Sequence, residues 1–206
     1  MDVIPDHAPV PDTVNRFSYR MDFKRVNPLL DFFYPALGIA DHSMVYGTYD
    51  PSDNEFTTTG YLPSLQITRN TWHEVDLFAN VDQETFITRF QSDSMVFGEE
   101  LSLVDQQFYF RAVGDTSRLD ISWNNRGEPL YRGNITLKGS FEPGPEKERF
   151  LRIRVQPATL IVGDEQWFLN RSDILLQRSY IHIDSLIVES SQERLLADGT
   201  ISSRSE

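Results

Sequence analysis

The feature that most limits the fold of this chain is an alternation of apolar and polar residues with a period of two. It begins at Phe17, Tyr19, Met21 and Phe23 and recurs in segment after segment down to residue 202. Successive side chains of an extended strand point to opposite faces, so this period predicts strands with one apolar and one polar face. The chain is therefore predicted to be all-β.

Short polar turns, such as DPSDN at 50–54 and NNRGE at 124–128, separate these segments. Connections this short join antiparallel neighbours, whereas parallel strands need long crossovers that are usually helices. We therefore expect a curved antiparallel meander with its strands in sequential order. Such a sheet can cover its apolar face within a sandwich or barrel, or roll into an open apolar trough.

One short N-terminal helix is predicted in the segment NPLLDFFYPA at 27–36. Asn27 can cap its first turn and Pro28 suits the first helical position, while Pro35 and Gly38 end it. A helix of about two turns is not stable in isolation. We expect it to pack against the mouth or edge of the sheet.

The proline-rich start of the chain differs from the rest. Residues 1–15 contain three prolines and almost no periodicity, which predicts a flexible linker or arm. Residues 16–206 then form a single β-domain. The start has neither the basic residues nor the apolar run of a signal peptide, and we expect the domain to be a segment of a longer protein.

Composition excludes several classes of function. The net charge of −12 argues against nucleic acid as a partner, because phosphate neutralisation by basic residues drives that binding. The absence of cysteine excludes disulfides, thiolate metal sites and cysteine nucleophiles. The four histidines do not share metal-ligand spacing, and no phosphate-binding glycine pattern occurs. We predict neither a metal nor a cofactor.

The segment YIHIDSLIVES at 180–190 contains the three side-chain types of a hydrolytic triad. In a regular strand, Ile181, Ile183 and Ile187 share one face, and Ser185 lies with them. Tyr180, His182 and Asp184 take the other face. A serine nucleophile must lie within hydrogen-bond reach of its histidine base. We therefore predict a structural strand, no catalytic residues and no enzymatic activity.

Two longer stretches carry a family resemblance. They are NPLLDFFYPALGIADHSMVYGTYDPSDNEFTTTGYLPSLQI at 27–67 and ATLIVGDEQWFLNRSDILLQRSYIHIDSLIVESSQERLLADGTIS at 158–202. Together they resemble the translocation and assembly module family TamB, in its Bacteroidetes-type form. The matching positions are Asn27, Pro28, Leu29, Phe32, Phe33, Gly38, Ile39, Gly47, Trp167, Asn170, Ile174, Ile181, Ile183, Leu196, Gly199, Ile201 and Ser202.

This resemblance implies an AsmA-like β-taco, which is a long trough lined with apolar side chains. It implies a bridge across the periplasm that carries phospholipids by their acyl chains and belongs to an inner-membrane-anchored protein, with the anchor outside this chain. It also implies a link to outer-membrane biogenesis, with an outer-membrane assembly barrel protein as partner.

Eight residues are predicted to line the lipid groove, as four pairs two positions apart with a polar or charged residue between the members of each pair. They are Ile121, Trp123, Ile135, Leu137, Leu151, Ile153, Ile181 and Ile183. The alternatives are an extracellular β-sandwich module for adhesion or glycan binding, and a sandwich-fold carbohydrate enzyme. The enzyme would need two carboxylates that face each other across a cleft.

Overall fold

The computed structural model describes residues 16–98, 101–125, 130–144, 148–178 and 180–202. The predicted all-β antiparallel fold with one short helix is confirmed. The predicted arm at 1–15 lies outside the described residues. No helix in the described part of the chain has the length and apolar character needed to cross a membrane.

Fifteen strands and one helix make up the described chain. In order, they are β1 (Phe17–Phe23), α1 (Asn27–Phe33), β2 (Leu37–Ile39), β3 (Ser43–Asp50), β4 (Glu55–Ile67), β5 (Asn70–Asp82), β6 (Thr85–Phe97), β7 (Leu101–Val113), β8 (Thr116–Asn124), β9 (Tyr131–Pro143), β10 (Arg149–Val155), β11 (Ala158–Val162), β12 (Glu165–Leu169), β13 (Ser172–Gln177), β14 (Tyr180–Glu189) and β15 (Arg194–Ser202). The segment EFTTTGYLPSLQI forms the single strand β4, although it contains Pro63.

All strands belong to one sheet and follow one another as an antiparallel meander. Three rows of the sheet consist of two strands in line. β2 and β3 both pair with β4, β10 and β11 both pair with β9, and β12 and β13 both pair with β14. Each row therefore contacts only the rows before and after it in the chain.

The register keeps one face of the sheet apolar across most of these rows. Partners in an antiparallel ladder share a face, so the face of each residue follows from its pairing. We call the face that carries Ile121 and its register partners the apolar face, and the opposite one the polar face. Phe17 and Tyr49, at the first edge, and Ile201, at the last, lie on the apolar face.

The ladder register skips one row of positions, which crosses β4 to β7 at Pro63, Glu74, Asp93 and Asp105. Proline has no N–H for the ladder, and Glu74 and Asp105 adopt positive φ angles of 51° and 48°. Four side chains next to this row are buried. They are Leu62 at 4%, Val75 at 0%, Ser92 at 5% and Gln106 at 3% exposed.

At the same row, the alternation of side chains between the two faces shifts by one residue. Strict alternation from Val75 would put Trp72 on the polar face. Its ring instead makes an edge contact with Phe90 on the apolar face, with 6.0 Å between the centroids. Met95, the ladder partner of Trp72, is only 3% exposed. The apolar face therefore continues past the irregular row.

A second buried patch lies where β10 gives way to β11 and β12 to β13. Val155 pairs with Ser172, and Leu169 pairs with Ala158. The Ser172 hydroxyl donates a hydrogen bond of 2.7 Å to the carbonyl of Asp184. Buried packing is thus concentrated at the irregular points of the sheet, and most large apolar side chains elsewhere stay accessible.

The helix lies at the edge of the sheet beside β2, as expected, but its predicted cap is wrong. Val26 occupies the N-cap position without a side-chain cap bond. The Asn27 side chain instead accepts a hydrogen bond of 2.9 Å from the Ile39 amide, which ties the helix to β2. Phe32 and Phe33 are 80% and 73% exposed, so the helix presents its aromatic residues to solvent.

Candidate functional site: the apolar face of the sheet

The register places all eight predicted groove residues on one face. Ile121 pairs with Ile135, and Trp123 with Gly133 on the same strand β9. Leu137 pairs with Val155, which lies on the same face of β10 as Ile153 and Leu151. Residues Ile174 and Leu176 on β13 connect Ile153 and Leu151 to Ile183 and Ile181. The four pairs, whose relative phase the sequence left open, therefore have the same phase.

The apolar face is nearly free of charge. Within the described residues, the register assigns it two charged side chains, Arg149 at the start of β10 and Glu165 at the start of β12. Its other large apolar members in β7 to β14 include Phe108, Phe110, Leu119, Phe141, Leu160, Trp167, Ile174, Leu176, Leu186 and Val188. We call Ile121, Ile135, Ile153, Ile174 and Ile183 the apolar strip. Ile121 pairs with Ile135, and Ile153, Ile174 and Ile183 pair in turn, while Leu137 and Val155 join the two groups.

The groove residues are accessible. Ile181 is 39% exposed, and the other seven are half-buried. Among the described residues, five hydrophobic side chains are buried, and none of the eight is among them. A side chain that packed between two sheets would be sealed from water. The apolar face is thus a surface that a further apolar molecule can contact.

A cavity of about 260 Å³ lies over this face between β7 and β10. Leu137, Leu151 and Ile153 line it, together with Phe110 and Phe141. The remaining predicted residues lie outside this cavity on the same face.

The position of Trp123 depends on a glycine in the neighbouring strand β9. Gly133 is its ladder partner, and the Trp123 ring lies where a β-carbon on residue 133 would project, with Leu160 on the other side. Only glycine leaves room for this approach. The indole therefore covers the backbone of β9 and extends the apolar strip towards β11.

Sequence reasoning missed the aromatic cluster on β6 and β7. Phe90 and Phe108 lie edge to face at 5.5 Å, and Phe86 and Phe110 lie 5.8 Å apart, all on the apolar face. These residues also recur two positions apart within each strand. The missing information was the register that joins them to Leu119 and Ile121 on β8.

The polar face carries ion pairs. Arg118 forms two hydrogen bonds with the carboxylate of Asp120, at 2.7 and 2.9 Å. These bonds lower the pKa of Asp120, and a hydrogen bond from Thr136 acts in the same direction. The Arg152 guanidinium donates to Glu142 at 3.0 Å and lowers the pKa of that carboxyl, with a further bond from Ser140.

The expected arrangement of the segment at 180–190 needs a correction. Ser185 has a φ of 51°, and the ladder with β15 shifts between Ile183 and Leu186. This bulge sets Asp184 and Ser185 together opposite Asp198. Ser185 therefore lies on the polar face with His182, and Ile187 moves to that face as well. The prediction that Ser185 and Ile187 share a face with Ile181 and Ile183 was wrong.

The polar side chains of this segment bond to β15 and not to one another. Ser185 donates to the Asp198 carboxylate at 3.3 Å, and His182 forms a hydrogen bond of 2.9 Å with Thr200. Among the described residues, no three histidine or acidic side chains come together as metal ligands would. The expectation that the protein has no catalytic residues stays a prediction.

Searches against models of known families, against curated proteins and against solved structures each found no significant match. The resemblance to the TamB family therefore rests on the sequence positions given above.

Proposed function

We propose that this protein is a segment of a bridge that carries phospholipids along an open apolar trough formed by the sheet. The observation that carries the proposal is the apolar face itself, which is continuous from β1 to β15 and accessible to other molecules. Soluble monomers rarely expose apolar patches of more than a few hundred Å². A face of this extent needs an apolar guest.

Acyl chains suit this face better than a compact ligand does. Burial of each methylene contributes about 0.8 kcal/mol, so a long chain gains affinity from contact area alone. The strip between β8 and β14 consists of similar aliphatic side chains and carries no charged group that would fix one position. Similar affinity at successive positions would let a chain move along the strip.

The cellular setting follows from the resemblance to TamB proteins. We place the protein in the periplasm, as part of an inner-membrane-anchored bridge that supports outer-membrane biogenesis. An outer-membrane assembly barrel protein is the proposed protein partner. Within the described residues β15 pairs on one side with β14, and a strand edge open on its other side is suited to pairing with another chain.

The alternative functions require a different architecture. An adhesion or glycan-binding sandwich, like a sandwich-fold enzyme, covers its apolar face with a second sheet. The described residues form one sheet. No observation here favours the alternatives over the lipid bridge.

A charge on the apolar face tests the proposal. We expect Ile135→Asp and Ile153→Asp each to lower capture of fluorescent phospholipid by about tenfold, because a carboxylate in contact with an acyl chain loses about 1–3 kcal/mol of solvation. The matched control is Asn134→Asp, which adds the same charge to β9 on the polar face. Equal loss in the control would contradict the proposal.

Photocrosslinking gives an independent readout of the face that lipid contacts. A photoreactive residue at Ile153 should form lipid adducts, and one at Arg152, on the opposite face of β10, should not. Equal adducts on both faces, or none on either, would show that the apolar face is not a conduit for lipid.

A further inference from the structure

The polar face contains a row of four cationic side chains on four adjacent strands. Arg111 on β7 pairs with Arg118 on β8, Arg118 pairs with Lys138 on β9, and Lys138 pairs with Arg154 on β10. We call these four residues the cationic row. Neighbouring strands lie about 4.8 Å apart, so the row spans about 14 Å.

This arrangement is unfavourable unless an anion neutralises it. Like charges directly opposite each other in a sheet destabilise it. The net charge of the chain is −12, so a local excess of cations runs against its overall composition. The nearest carboxylates neutralise part of the row. Asp120 engages Arg118, and Glu142 lies 3.9 Å from Arg154.

Two members of the row have no anionic partner. Arg111 and Lys138 form no ion pair within the described residues, although Lys138 lies between two arginines. Arg154 also approaches Asp173 at 3.4 Å, without the geometry of a hydrogen bond. Positive charge is therefore available at the centre of the row.

The row borders a cleft with hydrogen-bonding walls. A cavity of about 350 Å³ is lined by all four cations and by Thr116 and Ser140, which form the next ladder pair on the same face. This volume is at the lower end of the range of about 300–1,000 Å³ found for small-molecule sites. The cleft therefore fits a compact ligand.

We infer that the cationic row binds a phosphate-bearing ligand with at least two negative charges. Guanidinium groups bond phosphate oxygens in bidentate fashion, and a lysine between them adds a third donor group. The site is on the opposite face of the sheet from the proposed acyl-chain strip and does not rest on the lipid function. A lipid phosphate and a free phosphate compound share this chemistry.

Pyrophosphate is the probe for the free ligand, measured by calorimetry and by the rise in Tm it causes. We expect 1:1 binding, which Lys138→Gln and Arg111→Gln each weaken by about tenfold, because each variant removes a charge-assisted hydrogen bond to the phosphate. The matched control is Arg132→Gln, on the same strand and face as Lys138 but six residues away. It should bind as the wild type does.

Stability without ligand provides a second readout. Lys138→Gln should raise the Tm of the ligand-free protein, because it removes like-charge repulsion within the row. It should also reduce the rise in Tm that pyrophosphate produces. Binding that is lost equally in Arg132→Gln would overturn the inference.

Flotation with vesicles of phosphatidylcholine containing phosphatidic acid tests the lipid source. Pyrophosphate binding without flotation assigns the site to a free phosphate compound. Flotation that is lost in Lys138→Gln assigns it to a lipid headgroup. A folded wild-type protein that binds neither probe at physiological salt would refute the inference.

Discussion

Three residues inside strands, Glu74, Asp105 and Ser185, have the left-handed backbone conformation that L-residues rarely adopt. This conformation costs about 1–2 kcal/mol per residue. At Glu74 and at Ser185, this conformation coincides with a shift of one residue in the alternation of faces along the strand. Because of this shift, the apolar residues Trp72 and Val188 lie on the apolar face. Local backbone strain thus preserves the continuity of the face.

At the same scale, Asp120 gives a prediction for acid stability. Hydrogen bonds from Arg118 and Thr136 lower its pKa, so its stabilisation is fully present above the unfolded aspartate pKa of about 3.9. This stabilisation is lost as the pH falls below that value and then passes through the lower pKa that Asp120 has in the folded state. Asp120→Asn should therefore be less stable than wild type at pH 7 and lose less stability between pH 4 and 2.

Urea denaturation at several pH values measures this difference. Asp22→Asn is the control, because Asp22 forms a comparable bond with Arg20 at the exposed edge strand β1. Parallel pH profiles for Asp120→Asn and wild type would contradict the assigned role of Asp120.

At the scale of elements, alternation was sufficient to predict the strands, and the pair Asn27-Pro28 was sufficient to place the helix. The alternation breaks at Asp184-Ser185, where two polar residues precede three apolar ones, but it could not reveal that a bulge at Ser185 accounts for the break. Nor could it reveal that Asn27 bonds Ile39, twelve residues away. Both depend on which backbone groups become neighbours once the ladder forms.

A further residue inserted at the bulge should disturb β14 more than a change of the Ser185 side chain. Insertion of one alanine after Ser185 shifts residues 186–189 by one position and sends Leu186 and Val188 to the polar face. The partner of Val188 is Leu169, which is only 6% exposed. We expect a loss of about 2–5 kcal/mol in the free energy of unfolding, as for loss of a buried aliphatic contact.

The control is Ser185→Gly, which keeps the bulge and tolerates positive φ. It should stay within about 1 kcal/mol of wild type, because it loses the exposed side-chain bond to Asp198. Urea unfolding monitored by circular dichroism measures both variants. Equal stability of the insertion and the glycine variant would show that one extra residue does not change the phase of β14.

At the scale of the whole molecule, one sheet provides both proposed sites, and its two faces differ in chemistry. The apolar face has little charge, while the polar face has the ion pairs and the cationic row. The groove residues could be predicted as pairs within strands. Their assembly into one strip could not, because the relative phase of two strands depends on the ladder between them.

An open apolar face should bind a hydrophobic dye in the native state. We expect 1-anilinonaphthalene-8-sulfonate to fluoresce with the folded protein, and the signal to fall on addition of oleate and on unfolding in urea. The Asn134→Asp variant should behave as wild type, and Ile135→Asp should fluoresce less. Absence of dye fluorescence with the native protein would mean that the apolar face is covered.

The meander also has a consequence for how such a protein can change during evolution. Each strand row contacts only its two neighbours in the chain, so a duplicated or deleted hairpin alters the sheet at one place. A whole hairpin adds two rows, about 9.6 Å of sheet width, and leaves the phase of all others intact. The number of hairpins encoded in the gene therefore determines the distance that the sheet spans.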